Sequence, residues 1–140
     1  MRTLDPATEA GATALHRLET ELMAWMTTTN PDGQPQSSPI WFLWRDGEVV
    51  VYSHIRAPRN VNVEANPHVA FNLNTDPDGE AVVTMEGEAR IDLGLPPCSE
   101  DAAFQAKHRY MIDRYGWTPE WHAETYPIPI VITPTRWRLG

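Results

Sequence analysis

Three turn sequences too short to hold a helix constrain this chain more than anything else in it. PDG at 31–33, RDGE at 45–48 and DPDGE at 76–80 each separate segments rich in β-branched and aromatic residues. A parallel strand pair needs a crossover of about a dozen residues or more, so these links admit only antiparallel neighbours. In PDG, Gly33 supplies the positive φ that a tight turn requires. The flanking segments MAWMTTTN, QPQSSPIWFLW and EVVVYSH therefore read as three successive strands. VAFNLN alternates Val69, Phe71 and Leu73 against polar partners, the pattern of a half-buried strand. AVVTMEGEARID follows the third turn, and Gly87 within it marks a bulge or a close approach of backbone. YPIPIVITPTRWRLG supplies a terminal strand.

Helices are few and small. Asp5 and Pro6 read as an N-cap and first helical residue, opening a helix to about Glu21 with Leu15, Leu18 and Leu22 on one side. PRNVNVEA gives a short helix after the EVVVYSH strand, stopped by Asn66-Pro67. Ser99 caps a third whose first turn holds Glu100 and Asp101, whose one face carries Phe104, His108, Met111 and Tyr115, and which Gly116 ends. About five or six short antiparallel strands with small flanking helices predict a mainly β (α+β) fold, a closed or nearly closed barrel. There are no internal repeats, so residues 1–140 form one domain.

Charge narrows the partners. A formal net charge of −8 argues against nucleic acid or an anionic membrane as the main ligand. The single cysteine, Cys98, suits a reducing compartment, and MRTLDPATEA lacks the apolar run of a signal peptide. No stretch approaches the ~20 apolar residues of a spanning helix, so a cytoplasmic location is expected.

Against that acidity, SHIRAPRNVNV at 53–63 gathers Arg56 and Arg59 at a helix start where Ala57 offers no capping oxygen. Uncapped donors beside cations suit a bound anion such as a phosphate. Nothing else in the chain resembles a reaction centre. His16, His54, His68, His108 and His122 show no metal-ligand spacing, so no metal is expected. His108 reads as a packed, hydrogen-bonded core residue. Ser37 and Ser38 lack a G-x-S-x-G setting, Cys98 has no partner base, and no G-x-G-x-x-G or Walker loop is present. A phosphorylated hydride-transfer cofactor fits this pattern, because it brings its reactive atom with it and asks the protein only for position and exclusion of water.

The order TTTNPDGQPQSSPIWF, DGEVVVYSHIRAPRNVNVEANPHVAFNL, AVVTMEGEARI resembles the flavin/deazaflavin oxidoreductases of the split β-barrel, pyridoxamine 5′-phosphate oxidase-like superfamily, in particular its actinobacterial F420-dependent branch. The resemblance spans about residues 15–92 and again IVITPTRWR. It implies an FMN-binding split barrel and a homodimer with cofactor sites at the interface. It places Gln36, Ser37, Pro39, Ile40 and Trp41 beside the deazaflavin ring, and Ser53, Arg56, Arg59 and Asn62 about the phosphate. Arg59 stands where a Lys is common and Val61 where an Arg is frequent, and Arg136, Trp137 and Arg138 would reach toward the partner's cofactor. The activity implied is hydride transfer from reduced F420 to a small electron-poor organic acceptor. FMN in place of F420, or a non-enzymatic haem, tetrapyrrole or cofactor carrier, are the alternatives. The catalytic residue is left open among Tyr52, Tyr110, Tyr126 and His54.

Overall fold

The computed structural model describes residues 1–140. Its elements are α1 (Glu9–Thr20), β1 (Met23–Thr29), β2 (Pro35–Trp41), β3 (Leu43–Arg45), β4 (Glu48–Ser53), α2 (Arg59–Ala65), β5 (His68–Asn72), β6 (Val83–Ile91), α3 (Ala102–Tyr115), α4 (Pro119–Thr125) and β7 (Ile128–Leu139). All seven strands join one antiparallel sheet in the order β2-β1-β5-β6-β7-β4-β3.

The turns act as their sequences dictate. Asp46 and Gly47 both have positive φ, +53° and +76°, and they close β3 on β4 with Arg45 opposite Glu48. That is the mirror-image hairpin turn whose twist matches the strands, and Asp-Gly tolerates it. Between β1 and β2 the Asn30 carboxamide oxygen accepts from the amides of Asp32 and Gln34 at 3.1 and 2.9 Å, with Gly33 at φ +88°.

Seven strands form where about six were expected because QPQSSPIWFLW is two strands, not one. The break is a corner at Phe42, which is fully buried. β2 and β3 are the two edges of the sheet yet adjacent in sequence, so the sheet must curl until its edges meet at that corner. The result is a split barrel, with Met26, Phe42, Val49, Val51, Phe71, Ile130 and Ile132 nearly sealed inside. Each such side chain contributes ~1.5–3 kcal/mol on burial. Gly87 sits at the bulge between Glu86 and Gly87 in β6, and it also marks a close approach: a Cβ there would lie 2.7 Å from Ile132 and 2.9 Å from the Thr133 carbonyl.

The helices depart further from expectation. Thr8, not Asp5, caps α1, accepting from the Gly11 amide at 3.0 Å; Asp5 instead caps the preceding turn through the Ala7 amide. Gly11, Ala14 and Leu18 form its buried face. Asp101, not Ser99, caps α3, because Cys98–Glu100 is a separate 3₁₀ turn. Helix α4, capped by Thr118 with Pro119 next, had no counterpart in the sequence reading. No helix is long and apolar enough to cross a membrane.

Candidate functional site

Strand β4 delivers the site. Its alternation sends Ser53 inward, and the chain then turns through Ala57 and Pro58 into α2, bringing the Arg59 side chain back across the strand end. Arg59 Nη1 donates to Ser53 Oγ at 2.9 Å and Nη2 to Ser38 Oγ at 3.0 Å. Its Nε is buried without a partner, and no carboxylate lies within ion-pairing distance. Burial lowers the guanidinium pKa, and nearby Tyr126 acts the other way. Two neutral hydroxyls orient a cation but do not neutralise it. A half-buried guanidinium without a counter-charge is costly on its own, and an incoming anion relieves that cost.

Arg59 borders a cleft of about 380 Å³. Pro39, Ile40 and Trp41 of β2 form one wall, and Trp117 and Tyr126 from the two flanks of α4 form another. Trp117 stacks on Trp41 at 5.1 Å and on Tyr126 at 5.5 Å, so the walls are flat, apolar and mutually braced. Behind Trp41 lies His108, whose ring is parallel to the indole at 5.0 Å and whose Nε2 is 2.9 Å from the Phe42 carbonyl. Burial pushes His108 down to about 4, so it stays neutral and packed, as its apolar setting implied. Cys98 is likewise interior, its thiol pushed up to about 11 by burial, a poor setting for a nucleophile.

The other expected site residues are distributed differently. Pro39, Ile40, Trp41 and Arg59 border the cleft; Ser53 is reached only through Arg59. Arg56 is exposed and its side chain makes no hydrogen bond to the chain. Asn62 is buried and bonds Thr28 Oγ1 at 3.0 Å and Gln36 Oε1 at 2.8 Å, so these two tie α2 to β1 and β2 and do not face the cleft. Ser37 points outward against Thr27 at 2.6 Å. The helix start offers less than expected. The Asn60 and Asn62 amides are taken by the Ala57 and Pro58 carbonyls, and the Arg56 and Ala57 amides bond His54. The Arg59 and Val61 amides find no acceptor within the chain, so the helix start keeps two free donors beside the Arg59 guanidinium.

Ser38, Trp117 and His122 were not anticipated. Ser38 shares a face of β2 with Gln36 by the two-residue alternation of the strand, and both meet α2, through Arg59 and Asn62. Trp117 and His122 belong to the unexpected helix, although Thr118-Pro119-Glu120 is a cap-and-proline signal visible in the sequence. Of the proton-bearing candidates, Tyr52, His54 and Tyr126 border the cleft, the Tyr52 hydroxyl being engaged by Asp101 at 2.8 Å, while Tyr110 is 70% exposed outside it.

The sequence model of the pyridoxamine 5′-phosphate oxidase family matches residues 12–139. A split barrel with an uncompensated cation at the foot of an aromatic cleft is thus set in a known class, and the chain belongs to that family. Among solved structures it is similar to an F420 reductase, at 26% identity and TM-score 0.65, covering 88% of this chain and 94% of that one. The haem storage protein HutZ from Vibrio cholerae shares the fold at 16% identity and TM-score 0.63, covering 98% and 94%. A FAD-binding protein from Mesorhizobium loti does so at 16% identity and TM-score 0.58, covering 90% of each chain. No curated protein matches the sequence.

Proposed function

We propose that the protein is an F420-dependent oxidoreductase that passes a hydride to a small electron-poor organic acceptor. The observation that carries this reading is Arg59: a cation fixed by Ser38 and Ser53, with a buried unpartnered Nε and no carboxylate, opening on a flat aromatic cleft. Those residues fit a planar cofactor bearing a phosphate. Arg59 would hold the phosphate, bidentately through its fork of donors. Pro39, Ile40 and Trp41 would lie against the ring, and the stacked Trp117 and Tyr126 would keep water from it. When bound, F420 supplies the hydride from its reduced ring. Likeness to the F420 reductase supports this choice among flavin-type cofactors.

The same reading includes a homodimer, consistent with the outward exposure of Met23 and Trp25 beside Pro39 and Trp41. FMN is the second reading, favoured by one fact: a single Arg serves the cleft of a chain with net charge −8, which suits one phosphate better than a polyanionic tail. A side-by-side fluorescence titration of the purified protein with F420 and FMN decides between them. Saturable, tighter F420 binding is expected. Preference for FMN moves the protein to the flavin branch, and binding of neither refutes the oxidoreductase reading. A haem carrier would use His54 or His122 at the cleft, and a Soret band on reconstitution with hemin would reveal it.

A further inference from the structure

His122 is 97% buried by its 3% exposure, yet it borders the cleft and its Nε2 makes no hydrogen bond within the chain. That nitrogen is not among the sealed, unpartnered atoms, so it remains open to the space the residue borders. Its other nitrogen is accounted for. Gln105 Nε2 lies 3.2 Å from His122 Nδ1. The orientation of that carboxamide is fixed twice over: Nε2 donates to the Cys98 carbonyl at 2.9 Å, while Oε1 accepts from Arg109 Nη2 at 3.1 Å. Gln105 therefore donates to Nδ1, and a neutral His122 must carry its proton on Nε2. Phe104, Trp117 and Tyr126 pack around the ring at 5.3–6.2 Å and hold its direction.

We infer that His122 is a catalytic residue whose Nε2–H, set by the Arg109–Gln105 relay, receives the carbonyl oxygen of a planar, uncharged, conjugated acceptor. The carbonyl role rests on the oxidoreductase reading above; the tautomer does not. A hydride from the reduced deazaflavin or flavin forms a C–H bond at the β-carbon, and the carbon–carbon π pair shifts toward the carbonyl. The carbonyl π pair moves to oxygen as an enolate, the acceptor is reduced by two electrons, and a solvent proton at the α-carbon completes the reaction. Charge develops on that oxygen, and a preorganised donor stabilises it. Gln105 is the positioning residue.

The test begins with histidine-labelled protein without cofactor, read by long-range proton–nitrogen NMR. His122 is expected to show an unprotonated Nδ1 and a protonated Nε2; the opposite tautomer overturns the inference. Benzylideneacetone, a planar uncharged enone, is then added, and the Nε2–H signal should move. Absence of any shift at His122 up to the solubility limit overturns the carbonyl role. Gln105→Glu replaces the donor with an acceptor, so the tautomer should reverse and kcat for benzylideneacetone with reduced F420 should fall about 100-fold. F420 affinity should stay within about twofold, since Arg59 is untouched. A kcat loss under about threefold overturns the assignment. Should Gln105→Glu not fold, Gln105→Met leaves Nδ1 without a donor, and a mixed tautomer with about tenfold loss is expected; an unchanged tautomer and rate overturn it. If wild-type protein binds neither F420 nor FMN, the oxidoreductase reading fails, while the tautomer still decides whether the relay exists.

Discussion

Tyr52 and Ser53 are neighbours on β4, and the alternation of the strand sends them to opposite faces, each beside an arginine. On the Tyr52 face every charge is answered. Arg45 Nη1 reaches both oxygens of Asp101 at 3.0 and 3.1 Å, the Tyr52 hydroxyl meets Asp101 Oδ2 at 2.8 Å, and the Phe104 amide donates to Oδ1 at 3.2 Å. On the Ser53 face Arg59 meets only two hydroxyls. The first cluster is closed and joins barrel to α3; the second lacks a negative charge. One strand thus separates a polar group whose charges are paired from one that has no counter-charge, and compensation of charge tells them apart.

The largest effect should come from breaking the closed side. Asp101→Ala removes the carboxylate from Arg45, the partner of the Tyr52 hydroxyl and the cap of α3 at once. A loss of ~1–3 kcal/mol is expected, chiefly from the lost cap and the lost charged hydrogen bonds, since Arg45 keeps partial access to water and the Tyr52 hydroxyl still reaches the Pro96 carbonyl at 3.0 Å. Urea unfolding would measure it as a fall in midpoint without a change in slope.

Arg59→Ala should do the reverse. No internal ion pair is lost and a costly half-buried cation disappears, so stability should be unchanged or slightly raised. Binding of F420 or FMN should instead weaken by roughly 10- to 100-fold, the worth of a charged hydrogen bond to phosphate at ~1.5–3 kcal/mol. Thermal melting and ligand titration on the same sample separate the two outcomes. A destabilised variant with intact affinity would erase the distinction between the faces.

Acid separates them more gently. His108 has its pKa lowered from 6.5 to about 4 by burial, so the unfolded chain binds the proton first. Its contribution is full above about pH 6.5 and is lost as pH falls toward 4, at up to ~1.4 kcal/mol per pH unit for one site. His122, lowered by burial and by Arg109, acts in the same direction. Asp101 responds later. Burial raises its pKa, but hydrogen bonds from Arg45, Tyr52 and the Phe104 amide outweigh this and hold it below the ordinary carboxylate value. Its stabilisation therefore persists until pH falls through that lowered value. Urea midpoints between pH 7 and 4 should decline in wild type and flatten in His108→Gln.

Much of this was legible where the physics is local. Asp46-Gly47 and Gly33 fix their turns from identity alone, Gly87 announced its bulge, and the resemblance carried by PIWF and SHIRAPRNVNV led to the family the chain matches. What stayed hidden depends on distant partners. Nothing near residue 42 says that β2 ends there; the corner exists because two sheet edges must meet. Asn62 looks like a ligand contact in sequence, but its bonds go to Thr28 and Gln36, 34 and 26 residues away. Arg59 and Arg56 look equivalent, and only the return of α2 across β4 makes one of them a half-buried cation.

That last pair gives the smallest and most discriminating prediction. Arg56 is exposed and unbonded, so any attraction it exerts on a bound phosphate acts through water and is screened over about 8 Å at physiological salt. Arg56→Ala should weaken cofactor binding by less than about threefold, and the loss should vanish near 1 M salt, where the screening length falls to about 3 Å. The Arg59→Ala loss should survive the same salt, because its hydrogen bonds form in a site largely closed to solvent. Equal losses with equal salt dependence would mean that the helix start as a whole, rather than one positioned guanidinium, attracts the anion.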